Sequence, residues 1–243
     1  MRARERVLPI LAAVPILAAV LIAAGAFAFW RTPKPGPAAP ERPGLLLLTS
    51  LPLVFGEQFS INGGGSPALK ALQGRYRVLP ISVTDPAELG KARLLLMAHP
   101  LAQPAEDLVA LDGWVRRGGR VLLLADPMLD WPSERPLGDP LRPPAMFMDT
   151  GLLGHWGLRL DPPGQRGEQP RKLGGETIVT SSPGSLEGSC AISADRLVAR
   201  CRIGEGRATI IADADLLDTG HLGSGARRNL EALLTELALL ANS

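Results

Sequence analysis

Charge of one sign is scarce in this chain, which carries 26 Lys and Arg against 24 Asp and Glu over 243 residues. Arg2, Arg4, Arg6, Arg31 and Glu5 are the charged residues before Thr32, so everything beyond lies within one charge of neutral. A neutral body argues against a nucleic-acid binder, which needs a basic face to displace phosphate counterions. Only 2 cysteines are present, excluding a zinc ribbon or a cysteine-rich scaffold. Aromatic residues make up 4%, too few for an aromatic platform that stacks sugars or single-stranded bases. The histidines, at 99, 155 and 221, fall in separate loops without metal-ligand spacing. No Walker motif and no internal repeat occur. Hydrophobic residues, at 46%, are nevertheless ample for a buried core.

What is there begins with the N-terminus. Residues 1–6 are short and basic, and Val7 to Trp30 carry no charge. As a helix rising about 1.5 Å per residue, this stretch is long enough to cross a hydrocarbon core of about 30 Å. Phe27, Phe29 and Trp30 supply an interfacial end, and the arginines keep the N-terminus in the cytoplasm. The rival reading is a cleaved signal peptide with Ala26-Phe27-Ala28 as its cleavage site, although the apolar run exceeds the usual signal length. Residues 31–44 hold Pro33, Pro35, Pro37, Pro40 and Pro43, the composition of a semi-rigid spacer. The expected organisation is a cytoplasmic tip (1–6), a transmembrane anchor (7–30), a stalk (31–44) and one extracytoplasmic domain (45–243). This places the protein in a bacterial inner membrane as a single-pass protein with a periplasmic domain.

In the body, apolar runs at Leu45 to Thr49, Ala92 to Ala98 and Arg120 to Ala125 read as strands buried on both faces. Arg75 to Ser82 reads as another strand. Ser66-Pro67 has the form of a helix N-cap followed by proline at the first helical position, and Gly74 is expected to close that helix. Leu108, Leu111, Trp114 and Val115 mark one face of a helix over 101–117, which Gly118-Gly119 ends. Alternating strands and helices predict parallel pairing with helices on both faces. The second half is less regular. Residues 126–144 read as a long loop, 148–156 as a helix, 177–180 and 196–203 as strands, 207–212 as the return strand of a hairpin, and about 224–241 as a final helix.

The stretch ARLLLMAHPLAQPAEDLVALDGWVRRGGRVLLLADP, residues 92–127, resembles the gliding-motility auxiliary (GldG-like) family of uncharacterised, ABC-transport-associated extracytoplasmic domains. The resemblance rests on Leu111, Trp114, Val115, Gly118, Gly119 and Val121 to Pro127. It rests also on the closing element Gly204 to Asp215 followed by Arg228-Asn229-Leu230. It implies a class I glutamine-amidotransferase-like fold: flavodoxin-like α/β, a mostly parallel sheet sandwiched by helices, here preceded by one N-terminal transmembrane helix. The amidotransferase triad does not carry over. His99-Pro100 stands where a cysteine elbow is needed, and both cysteines lie in the irregular half.

Ligands of an open parallel sheet bind outside the carboxyl ends of its strands. The residues expected there are Glu57 and Asn62, His99, then Asp126, Asp130 and Trp131, then Asp213 and Asp215, with Asp218 beyond them. The competing structural readings are a turn at Asp126-Pro127, helix caps at Asp213 and Asp215, and a satisfied loop histidine at His99. Gly63 to Ala68 fits G-x-G-x-x-A, with Asp85 near the spacing of a ribose-binding acid, but its glycines stand a dozen residues after the strand. The same residues imitate a nucleophile elbow, which capping by Ser66 explains better. Anion binding at that helix N-terminus is a further reading. Cys190 and Cys201 are either buried thiols or, outside the cytoplasm, a disulfide.

Taken together, the sequence leads to a membrane-anchored, non-catalytic accessory protein bound to a membrane partner, with an ABC-type transporter supplied by the resemblance alone. No cofactor, metal, catalytic residue or nucleic acid is expected. The alternatives are an extracytoplasmic hydrolase using His99 and carboxylates at the sheet's carboxyl edge, and a small-solute-binding module.

Overall fold

The computed structural model describes residues 42–55, 65–223 and 225–243. Its elements in chain order begin with β1 (Gly44–Thr49), α1 (Pro67–Arg75), β2 (Arg77–Pro80) and α2 (Pro86–Leu89). They continue with β3 (Leu94–Ala98), α3 (Ala105–Arg116), β4 (Arg120–Leu124) and the single-turn α4 (Leu152–His155). Short strands follow: β5 (Leu158–Asp161), β6 (Glu168–Leu173), β7 (Glu176–Ser181), β8 (Ser185–Gly188) and β9 (Ala191–Ile192). Then come β10 (Val198–Ile203), β11 (Gly206–Ile211), a 3₁₀ turn at Asp215–Leu217 and α5 (Gly225–Ala241).

One sheet of seven strands, ordered β2-β1-β3-β4-β11-β10-β9, forms the centre. The pairs β1–β2, β1–β3, β3–β4 and β4–β11 are parallel, whereas β10 runs antiparallel to β11 and β9 to β10. All of Leu94–Ala98 is buried, as a strand covered on both faces requires. Two antiparallel ribbons, β5 with β8 and β6 with β7, stand outside this sheet.

Local chemistry sets the helix ends. Ser66 Oγ accepts the Leu69 N–H at 3.0 Å and Pro67 fills the first turn. Gly65 precedes them at φ +67°, and a Cβ there would come within 2.5 Å of the Leu69 side chain. Asp85 Oδ1 accepts the Glu88 N–H at 2.7 Å, so this acid caps α2. Helix α1 runs through Gly74, contrary to expectation, and closes where the Tyr76 N–H meets the Leu72 carbonyl at 2.8 Å. Helix α3 starts at Ala105 and not at 101, because Pro104 holds the residue before it out of helical geometry. The helix expected over 148–156 contracts to the single turn of α4.

Helix α5 lies against the carboxyl half of the sheet through Leu233, Leu237 and Leu240. Asn229 is buried on this helix. Its amide donates to the carbonyls of Val179 (2.7 Å) and Leu216 (3.1 Å) and accepts the Val179 N–H at 2.9 Å. Glu236 is buried beside it, and both its oxygens are held by Arg200 of β10, at 2.8 and 2.6 Å.

The flavodoxin-like sandwich expected from the sequence is corrected here. Helical crossovers connect only the first four strands. Between β4 and its parallel neighbour β11 the chain makes one helical turn and two ribbons, and it extends the sheet with antiparallel strands. Among the described residues no helix is long and apolar enough to cross a membrane. The segments read as cytoplasmic tip, anchor and most of the stalk lie outside the described residues.

Candidate functional site

Strands β4 and β11 lie side by side with Leu124 opposite Ile211. Two residues further on, each chain carries an aspartate, so register alone brings Asp126 next to Asp213. The turn at Asp215–Leu217 then folds Asp215 back onto both. One oxygen from each of Asp126, Asp213 and Asp215 lies within 4.8 Å of the others, and all three residues are buried.

Five of their six carboxylate oxygens accept a backbone N–H. Asp126 takes those of Met128 (2.9 Å) and Ala214 (2.8 Å), and Asp213 takes those of Leu216 (2.7 Å) and Ser181 (3.0 Å). Asp215 Oδ2 takes that of Asp130 at 2.8 Å, while Asp215 Oδ1 is buried without any partner. The turn at Asp126-Pro127 and the capping by Asp213 are therefore real, but they do not exhaust these side chains. Burial raises the Asp126 carboxyl to about 6, helped by the charge of Asp130 and opposed by backbone N–H groups. Burial, then the charge of Asp126, lifts Asp215 to about 8. Asp213 is raised well above the ordinary carboxylate range by burial and then by Asp126 and Asp215.

Asp130 is the exposed member of this edge. Its Oδ2 accepts the hydroxyls of Ser181 (2.8 Å) and Ser182 (2.6 Å), and Ser182 sits at φ +46° with its own Oγ accepting the Gly167 N–H at 2.9 Å. The charge of Asp218 also acts on Asp215. Asp218 Oδ1 accepts the N–H groups of Gly220 and His221, and Oδ2 meets His221 Nδ1 at 2.7 Å. The imidazole of His221 is largely exposed while Asp218 is buried.

His99 does not join this group. It is fully buried at φ +47°, its Nε2 donates to the Pro144 carbonyl at 2.9 Å, and its Nδ1 has no partner. Burial lowers its pKa, with the Pro144 contact opposing, which disfavours the charged ring. Trp131 is half-buried in the wall of a separate cleft of about 290 Å³ between Leu129 and Ala145. Glu57 and Asn62 lie outside the described residues. Cys190 and Cys201 are joined as a disulfide, with Cα atoms 4.9 Å apart, tying the approach to β9 onto β10.

Ser181, Ser182 and His221 were not singled out from the sequence. For His221 the signal was present, an acid three residues ahead in D-x-x-H. For the serines there was none, since their partner is some fifty residues away.

No family model matches the chain, and no curated protein matches it. Solved structures are similar in fold, two of them as follows. An exo-β-1,4-mannosidase, Op5Man5 from Opitutaceae bacterium strain TAV5, is 14% identical with a TM-score of 0.50, over 82% of this chain and 36% of that one. A cytoplasmic protein, STM3548 from Salmonella typhimurium, is 10% identical with a TM-score of 0.50, over 81% of this chain and 98% of that one. This chain thus spans about a third of the mannosidase's length. These likenesses concern the fold alone. They correct the assignment to the gliding-motility auxiliary group with an amidotransferase-like fold, and with it the non-catalytic, transporter-associated role drawn from that resemblance.

Proposed function

We propose that the protein is a hydrolase-type enzyme working at the carboxyl edge of β4 and β11, with His221 as the general base and Asp218 as the residue that orients it. The observation that carries this reading is the 2.7 Å contact between His221 Nδ1 and Asp218 Oδ2 on the rim of the acidic edge. A carboxylate accepting from Nδ1–H fixes the tautomer and leaves Nε2 to take a proton from water as that water attacks a polarised bond. The imidazolium so formed is stabilised by Asp218 and returns the proton to the leaving group. Asp130, exposed and held by two serine hydroxyls, also acts by its charge on Asp215 and is the second group available to substrate. His99, sealed against Pro144, has no part in this chemistry. The likeness to a mannosidase makes glycosides the first substrates to test. The Cys190–Cys201 bridge supports a place outside the cytoplasm, where disulfides persist.

The test is hydrolysis by the full-length chain, in detergent, of a panel of aryl glycosides, aryl esters and aryl phosphates. At least one class is expected to turn over, with H221A lowering kcat/KM by about 10²–10⁴-fold. Absence of turnover across the panel, or turnover that H221A leaves intact, overturns the reading.

A further inference from the structure

We propose that Asp126, Asp213 and Asp215 hold a divalent cation of the hard, oxygen-seeking kind, with calcium the preferred ion. The inference goes beyond the hydrolase reading and stands without it. Three carboxylates buried together bring up to three negative charges into a dry region, and among the described residues no lysine, arginine or histidine hydrogen-bonds or ion-pairs with any of them. Five backbone N–H groups satisfy five oxygens. The sixth, Asp215 Oδ1, is buried with its lone pairs unmet, in a residue only 2% exposed. A buried acceptor without a donor costs free energy unless something positive reaches it.

The spacing and the ligand type choose the ion. Oxygens bound to calcium at about 2.3–2.6 Å stand no more than about 5 Å apart across the ion, so three oxygens within 4.8 Å of one another can share one. All three donors are carboxylates, the set that selects calcium, magnesium or manganese over zinc or copper. Oxygens on magnesium, bound at about 2.0–2.1 Å, stand at most about 4.2 Å apart, so a set spread within 4.8 Å suits the larger and less geometrically demanding calcium. The charges of the neighbouring acids Asp130 and Asp218 add to the negative field at Asp215. The five N–H dipoles offset the one negative charge left over when three carboxylates meet a divalent ion.

The test uses the full-length chain without any substrate, so its outcome is independent of whether the protein hydrolyses anything. After chelation, reloading with calcium chloride and dialysis, elemental analysis is expected to find one calcium per chain. Calcium at a hundredfold excess over its Kd should raise Tm by about 5–10 °C, and magnesium by less. D215N places an amide where the unmet oxygen lies and should abolish retention while folding normally; D126N should weaken binding at least tenfold. A wild-type chain that retains no calcium and melts at an unchanged temperature overturns the site, as does stabilisation that D215N and D126N keep in full.

Discussion

Two groups of buried carboxylates among the described residues solve the problem of burial in opposite ways. Glu236 on α5 is 1% exposed and receives both ends of the Arg200 guanidinium. Asp126, Asp213 and Asp215 are equally buried but receive only backbone N–H groups and one another. The first arrangement is self-sufficient: charge meets charge, and helix and sheet are joined by it. The second is incomplete in electrostatic terms, and it sits where a parallel sheet presents its loops to ligands. A buried acid with its own arginine is architecture. Buried acids left to each other are a site waiting for a proton or a cation.

The largest effect that separates the two should come from R200M. Removing the guanidinium leaves Glu236 buried and unpaired, a loss of about 3–5 kcal/mol by chemical denaturation, most of which the R200M/E236L double variant should recover. Next in size is reduction of the Cys190–Cys201 bridge, which closes a loop of 11 residues' separation and contributes about 3 kcal/mol in the chain-entropy description, read as a lower denaturation midpoint in reductant. By contrast, D215N in chelator below about pH 4, where the folded-state acid keeps its proton, should shift stability by less than about 1 kcal/mol, because the acid it replaces has one oxygen with nothing to lose.

The pH dependence sharpens the same contrast. Asp126 and Asp215 have folded-state values raised to about 6 and about 8 from 3.8, so the folded chain holds more protons than the unfolded one between those limits. Their contribution is fully present below pH 3.8 and is lost as pH rises toward 8. In chelator, Tm should therefore fall over pH 5–8, and the decline should be shallower in D215N. The smallest effect runs the other way. Burial acts to raise the Asp112 carboxyl, but Arg116 and the Trp156 indole outweigh it and hold it below its usual value. Its contribution, present above pH 3.8, fades on acidification, and D112N should remove that acid-side loss.

The sequence made the first half of the domain legible because its signals are local. Leucine runs can only be strands or helices with both faces covered, and Ser66-Pro67 and Gly118-Gly119 punctuate the helices between them. The ribbons escaped. In Glu168–Leu173, residues Glu168, Arg171 and Lys172 sit in a strand whose one fully buried side chain is Leu173, leaving almost no apolar alternation to detect. The family likeness read from residues 92–127 failed for a related reason: a strand, helix and strand joined by Gly-Gly belong to many folds. Of the site, the individual aspartates after β4 and β11 were visible. Their meeting was not, since it depends on the pairing of Leu124 with Ile211 across 87 positions of chain. His99 misled because a histidine at a strand's end looks available, and only the fold shows its ring turned to Pro144.

The outermost strand, β9, is two residues long, yet one residue before it the chain is covalently fastened to β10. So short a ladder would fray on its own, exposing the open flank of β10 as a template for a neighbouring molecule's backbone. The sulfur clasp thus acts as a guard against self-association, and chains folded under reducing conditions should be the first to stick together.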